Sequence, residues 1–318
     1  MKKSVKITLI VAAILLGLVL VVAIGGGLYM VGYALDRDEV EADKLEEREK
    51  AERKCPGILS WWDTLETEGI LKDTTMITAD GRKLYAQYAA AKEPSTKTAI
   101  LLHGYKNNPV TMAVYARMYR DSLGYNVFIP AMPSHGLSEG KAIQMGWKDR
   151  LDILSWIPVA HELFQDEAQV VHGMSMGAAC TMMISGEEAP DYVKAFIEDA
   201  GYTDVWNMFA DQLKELFGLP PFPVLYGASF ICQLKYGWSF REASAVKQVA
   251  KSSKPMFFIH GGADDFVPTY MLYPCYEAKT QGYKEIWEAP GSAHVYSIID
   301  HPQEYQNRVR AFLEKAGV

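Results

Sequence analysis

The chain predicts an α/β architecture, a mostly parallel eight-stranded sheet flanked by helices, and three observations carry that prediction. Strand-like segments at 74–78, 84–90, 98–102, 126–130, 168–172, 193–198, 255–260 and 284–289 alternate with helix-compatible stretches, the rhythm of a sheet covered on both faces. Runs such as Val127-Phe128-Ile129 are apolar without alternation, as strands buried on both sides are. Between the fifth strand and the helix after it stands the turn Gly173-Met174-Ser175-Met176-Gly177, in the strand–turn–helix context that exposes a serine above such a sheet.

Taken in order, the elements begin with Lys2, Lys3 and Lys6, followed by an uncharged run from Ile7 to Leu35. About 20 helical residues cross a bilayer's hydrocarbon core, so 1–35 is expected to be an uncleaved transmembrane anchor. A signal peptide cut near Ala34 is the alternative, although its usual apolar region is only about 7–15 residues. Lysines before the span put the N-terminus in the cytoplasm and the rest outside; cleavage would give a secreted protein instead. Gly25-Gly26-Gly27 and Gly32 suit packing against another helix and equally a weak helical patch. From Asp36 to Lys54 charges of both signs mix, and Glu46/Lys50 and Glu49/Arg53 fall at i,i+4, supporting a solvated helical stalk over 36–55. A single large domain is expected over 56–318. Its first two strands, joined by Ala79-Asp80-Gly81-Arg82, read as an antiparallel edge hairpin. The rhythm breaks only between about Gly201 and Ala250, where ten aromatic residues fall between Tyr202 and Phe240 beside Pro220, Pro221 and Pro223.

The chemistry gathers after the fifth strand. Any Cβ two residues either side of Ser175 would collide with strand or helix, which explains the glycines. The helix begins beneath the serine and presents free N–H groups to a developing oxyanion. Downstream, the adjacent acids Asp264 and Asp265 and then His294 each sit on a loop after a strand-like run. Serine, acid, histidine is the chain order of one known triad arrangement. His103, His172 and His260 end strand-like runs before glycine, where bonding to local backbone is expected, while His135, His161 and His301 lie on a loop, a helix and a helix start. That leaves His294 as general base, neutral, with one nitrogen toward Ser175 and the other on a carboxylate.

With these motifs in view the sequence resembles the α/β-hydrolase superfamily, especially its serine esterase, monoglyceride lipase and serine aminopeptidase branches, over roughly Thr74 to Leu313. The resemblance rests on Leu102-His103-Gly104-Tyr105, Ser134-His135-Gly136-Leu137-Ser138, the Gly173–Gly177 turn, Asp264-x-x-Val267-Pro268 and His294. It implies that Asp264 is the triad acid rather than its neighbour Asp265, with Glu198 and Asp199 marking where other members keep theirs. It points to the N–H groups of Met176 and Tyr105 as the oxyanion hole, whose fixed donors are usually worth about 3 kcal/mol each. It makes the region 201–250 a small helical cap, with Trp206, Phe209, Phe217 and Phe222 expected to line an apolar acyl pocket as well as the cap's own core. Many relatives carry an Asp-x-Arg-Gly run whose arginine braces the following loop. Here Ala131-Met132-Pro133-Ser134 stands in its place.

The expected activity is therefore a serine hydrolase cleaving carboxylic esters, or amides, of a small or lipid-like substrate through an acyl-enzyme, with no cofactor or metal. An exopeptidase, for which Asp211 or Glu215 could hold a substrate amine, and an acyltransferase share the same triad. A membrane-tethered binding module that has kept the fold is the reading from another class. A net charge of −7, with no basic patch and no Gly-rich phosphate loop, argues against nucleic acid as a partner. Cysteines at 55, 180, 232 and 275 show neither metal-ligand nor C-x-x-C spacing.

Overall fold

The computed structural model describes residues 2–36 and 43–318. The side chains of Lys2 and Lys3 and the stretch 37–42 of the expected stalk lie outside the described residues. Two compact units divide the chain: a large one of 43–203 and 244–318, and a small one of 2–36 and 204–243.

In chain order the elements are α1 (Lys2–Leu35), α2 (Asp43–Lys54), α3 (Ile58–Thr67), β1 (Lys72–Ile77), β2 (Lys83–Ala89), β3 (Lys97–Leu102), α4 (Ala113–Arg117), β4 (Asn126–Pro130), α5 (Asp149–Phe164), β5 (Ala168–Met174), α6 (Met176–Ser185) and β6 (Val193–Asp199). They continue with α7 (Val205–Phe217), α8 (Val224–Tyr236), α9 (Ala245–Val249), β7 (Met256–Gly261), α10 (Leu272–Ala278), β8 (Lys284–Ala289), α11 (Ser297–Asp300) and α12 (Pro302–Lys315).

The large unit holds one sheet in the order β1-β2-β4-β3-β5-β6-β7-β8. The pairs β1/β2 and β2/β4 are antiparallel and the rest parallel, the α/β-hydrolase fold that the sequence predicts. Each strand falls within two residues of its expected span. The edge hairpin closes because Gly81 takes φ 84, letting Thr78 N–H reach the Arg82 carbonyl at 2.9 Å. The Arg82 guanidinium then grips both oxygens of Asp152 at 3.0 and 3.1 Å, tying the hairpin to α5. Every residue of β4, β5 and β7 is buried, which accounts for their apolar runs: helices cover both faces. At the other edge Trp287 of β8 packs on Tyr305 of α12, ring centroids 5.9 Å apart.

The sheet places the candidate residues. β5 runs two residues past its expected end, so Gly173 and Met174 still pair with Glu198 and Asp199 of β6. The chain is thus held in register up to Ser175, whose own N–H donates to the Asp199 carbonyl at 2.8 Å. On α2 the expected i,i+4 pairs form, Lys50 to Glu46 at 2.9 Å and Arg53 to Glu49 at 3.5 Å.

The small unit combines α1 with α7 and α8. Its boundary is narrower than the expected 201–250, because Thr203 and α9 belong to the large unit, where Val246 N–H donates to the Thr203 carbonyl. Trp206 packs edge-on to Tyr226 at 4.8 Å under the Arg241 guanidinium, and Phe209 meets Phe240 at 4.9 Å. The N-terminal helix and the middle of the chain meet through glycine. A Cβ on Gly27 would lie 2.6 Å from the backbone carbon of Gly227, and one on Gly26 would lie 3.0 Å from Val224. Backbones this close exclude side chains at the crossing.

Candidate active site

Ser175 sits between β5 and α6 with φ 55 and ψ −120, a left-handed conformation that costs a non-glycine residue on the order of 1–3 kcal/mol. The glycines around it are dictated by space. A Cβ on Gly173 would lie 2.6 Å from Ala178 N, and one on Gly177 would lie 2.6 Å from the Leu102 carbonyl carbon and 2.7 Å from the His103 oxygen. The turn can only be this sharp if both positions lack side chains.

The loops after β7 and β8 meet this serine. His294 Nε2 is 2.9 Å from Ser175 Oγ, and His294 Nδ1 is 2.7 Å from Asp264 Oδ2. One proton arrangement satisfies both: Nδ1–H donates to the carboxylate and the Nε2 lone pair faces the hydroxyl. The D-x-x-V spacing also acquires a physical reason, since Asp264 Oδ1 accepts the N–H groups of Phe266 and Val267 at 3.1 and 2.9 Å. Burial alone would push the Asp264 carboxyl up. Hydrogen bonds from His260 and His294 outweigh it and hold the group at about 2. Asp265 is exposed.

The Asp199 carboxylate takes no part in this cluster. Its Oδ2 accepts from the hydroxyls of Tyr115 and Tyr305 at 2.8 and 2.9 Å, and Tyr305 in turn contacts His172. Glu198 accepts Gly201 N–H at 2.9 Å, and burial raises its carboxyl to about 8. Between these alternative acids and Asp264, the structure brings only Asp264 to His294.

Beside the serine, a Cβ on Gly104 would lie 3.4 Å from Ser175 Cβ, so the loop carrying Tyr105 passes against it. Two histidines hold that loop, a role for His135 that its sequence context did not reveal. His103 Nδ1 donates to the Gly104 carbonyl at 2.9 Å while its Nε2 accepts Met132 N–H at 3.0 Å. His135 Nδ1 donates to the Pro133 carbonyl at 2.9 Å and its Nε2 accepts Lys106 N–H at 3.1 Å. The rings pack at 4.9 Å, and burial holds His103 neutral, pushed down to about 3. Ser138 Oγ completes the brace, donating to the Ala131 carbonyl and accepting Tyr85 N–H. These contacts tie the loop carrying Tyr105 to the 131–138 loop.

The remaining candidates lie in the small unit. Trp206 and Phe209 belong to its buried aromatic core, Phe217 packs on Tyr29 and Tyr33 of α1, and Phe222 is 59 % exposed beside Tyr226. Asp211 and Glu215 are on α7. Among the described residues no group of three or more His, Cys, Asp or Glu is placed to hold a metal. No disulfide joins any of the four cysteines.

A buried acid, an imidazole and a serine thus stand in hydrogen-bonded sequence. The model of the prolyl oligopeptidase family matches residues 137–316, more than half of the chain and all three of these residues. The chain belongs to the prolyl oligopeptidase family. By that membership it is a serine hydrolase of the peptidase and esterase group. Relatives include the uncharacterized protein YqkD of Bacillus subtilis, 28 % identical over 71 % of this chain and 74 % of its own. The uncharacterized membrane protein YNL320W of Saccharomyces cerevisiae is 25 % identical over 80 % of this chain and 84 % of its own. Among solved structures the esterase Pf2001 of Pyrococcus furiosus shares the fold, with TM-score 0.64 and 24 % identity over 79 % of this chain and 95 % of its own.

Proposed function

We propose that this family member is a carboxylic ester hydrolase acting through an acyl-enzyme on Ser175. The observation that carries the reading is a single imidazole held between Ser175 Oγ at 2.9 Å and Asp264 Oδ2 at 2.7 Å, at a strained strand–helix turn. His294 Nε2 takes the hydroxyl proton as Oγ attacks the acyl carbon, and Asp264 stabilises the imidazolium. The N–H groups of Met176 and Tyr105 receive the oxyanion. Collapse expels the alcohol, which leaves with the proton from His294. Water deprotonated by the same nitrogen then releases the acid and frees Oγ. The esterase name of the structural relative is in keeping with an ester substrate.

We also infer that α1 anchors the enzyme in a membrane, with its lysine-bearing end cytoplasmic. Val5–Leu35 is 31 residues long with Lys6 as its one charged residue, and the side chains along its first half are exposed. A membrane protein among the relatives supports this reading.

The test is covalent. The full chain in detergent, treated with a fluorophosphonate probe, should carry one adduct on Ser175. Ser175→Ala should lose that adduct and slow ester turnover by at least about 1,000-fold while melting like the parent. Turnover that survives Ser175→Ala sinks the proposal.

A further inference from the structure

The small unit carries an apolar surface that its own packing leaves uncovered. The outer face of α8 and the turn before it present Phe222, Tyr226, Phe230 and Leu234, four residues apart each time, at 59, 51, 64 and 70 % exposure. That spacing puts them along one side of the helix. From Val224 to Leu234 the helix contains no charged residue. An aromatic stripe of this length is a poor surface to leave to water.

Its position relative to α1 identifies what covers it. The two helices run parallel: Gly26 lies against Val224, Gly27 against Gly227 and Ala228, and Asp36 against Lys235 and Tyr236. They therefore share one axial frame and reach their first charges together, where Lys235 Nζ meets Asp36 Oδ1 at 2.9 Å. The 31-residue span of α1 is about 46 Å long, whereas the hydrocarbon core needs only about 30 Å and the headgroup zones bring the total to about 40–45 Å. At the level of α8 the spanning helix exposes Tyr29 and Tyr33, the residue type that settles at the lipid–water boundary.

We propose that α8 and the turn before it are embedded in one lipid leaflet beside α1, with phospholipid covering Phe222, Tyr226, Phe230 and Leu234. The inference rests on the reading of α1 as a membrane anchor and extends it: the chain holds its membrane by a spanning helix and a second, half-depth helix locked to it through Gly27 and Gly227. Being parallel to α1, α8 enters along the membrane normal rather than lying in the plane of the interface, and the Asp36–Lys235 pair marks where it emerges.

The test uses the full chain with Cys55→Ser, since Cys55 is the one cysteine that is not buried. A bimane label is placed at Phe230→Cys or, as a reference on the spanning helix, at Val21→Cys, which is 69 % exposed. Each protein is reconstituted into phosphatidylcholine vesicles with and without bromine on the acyl chains. The expected result is that brominated lipid removes most of the emission at both positions. Quenching at Val21→Cys alone overturns the inference and leaves the anchor standing, whether iodide from solution reaches Phe230→Cys or a second protein copy shields it from both quenchers. Quenching at neither position removes the anchor and the inference together.

Discussion

His135 braces the loop that carries Tyr105, the proposed oxyanion donor. Its Nε2 accepts the Lys106 N–H on one side of Tyr105, while His103 Nδ1 holds the Gly104 carbonyl on the other. His135→Ala should therefore leave substrate affinity nearly unchanged and lower kcat by roughly tenfold, less than the 100- to 1,000-fold expected when a donor is itself removed. His135→Gln, whose side-chain oxygen can accept the same N–H, should recover part of the loss. A change in KM with kcat intact would show that the ring does something else. Ser175 could be picked out from local spacing, because glycines are required at 173 and 177, whereas Asp264 needed the D-x-x-V-P resemblance, whose physical reason, a Val267 N–H reaching back to the carboxylate, only the structure supplies. The bond of His103 to its local backbone was legible, but its pairing with His135 was not. Each bonds to backbone donated by a distant loop, Met132 to His103 and Lys106 to His135, and no local pattern records such a meeting.

At the scale of elements, the inner strands could be read because burial on both faces leaves unbroken apolar runs, as in β4. An N-terminal helix and a helical cap could be foreseen, but neither the separate helices α7 and α8 nor their packing on α1 could. Gly25-Gly26-Gly27 advertises a close approach without naming the partner, and Gly227 is a lone glycine inside a helix. The contact decides a prediction. A Cβ at Gly227 would lie 2.6 Å from the Ala23 carbonyl carbon, with backbone rather than a flexible side chain in the way. Gly227→Val should therefore force α8 off α1, with an overpacking cost of about 1–3 kcal/mol. Limited proteolysis of the full chain should then cut faster within 204–243, while melting of the large unit stays at the parent's value. Unchanged cleavage there would mean that the glycine crossing does not hold the two helices together.

For the whole molecule, the buried titratable groups set how stability varies with pH, and their signs oppose one another. Burial holds His103 and His172 at about 3 in the folded chain. The unfolded chain binds protons on them below its ordinary histidine value of about 6.5, so they remove stability as pH falls from there toward 3. Glu198 and Asp149 work the other way. Burial raises them to about 8 and about 7, from 4.5 and 3.8. Their protonated folded forms favour folding below the unfolded values, and that stability is lost as pH rises through 7 and 8. His260, which burial pushes down but its bond to Asp264 and the nearby Glu198 carry above the usual value, adds to the loss on the alkaline side. Between about 4.5 and 6.5 the two histidines and the two carboxyls nearly cancel. Above 6.5 the histidines cease to contribute, and Glu198 alone removes on the order of 2 kcal/mol by pH 8, at about 1.4 kcal/mol per unit. The full chain in detergent should accordingly melt at a lower temperature at pH 8 than at pH 6. Glu198→Gln keeps the neutral shape and its acceptor for Gly201 N–H, and should remove most of that difference. A melting temperature that is flat or rising from pH 6 to 8 in the parent chain would show that Glu198 is ionised inside the fold, where only Gly201 N–H and His260 could compensate it.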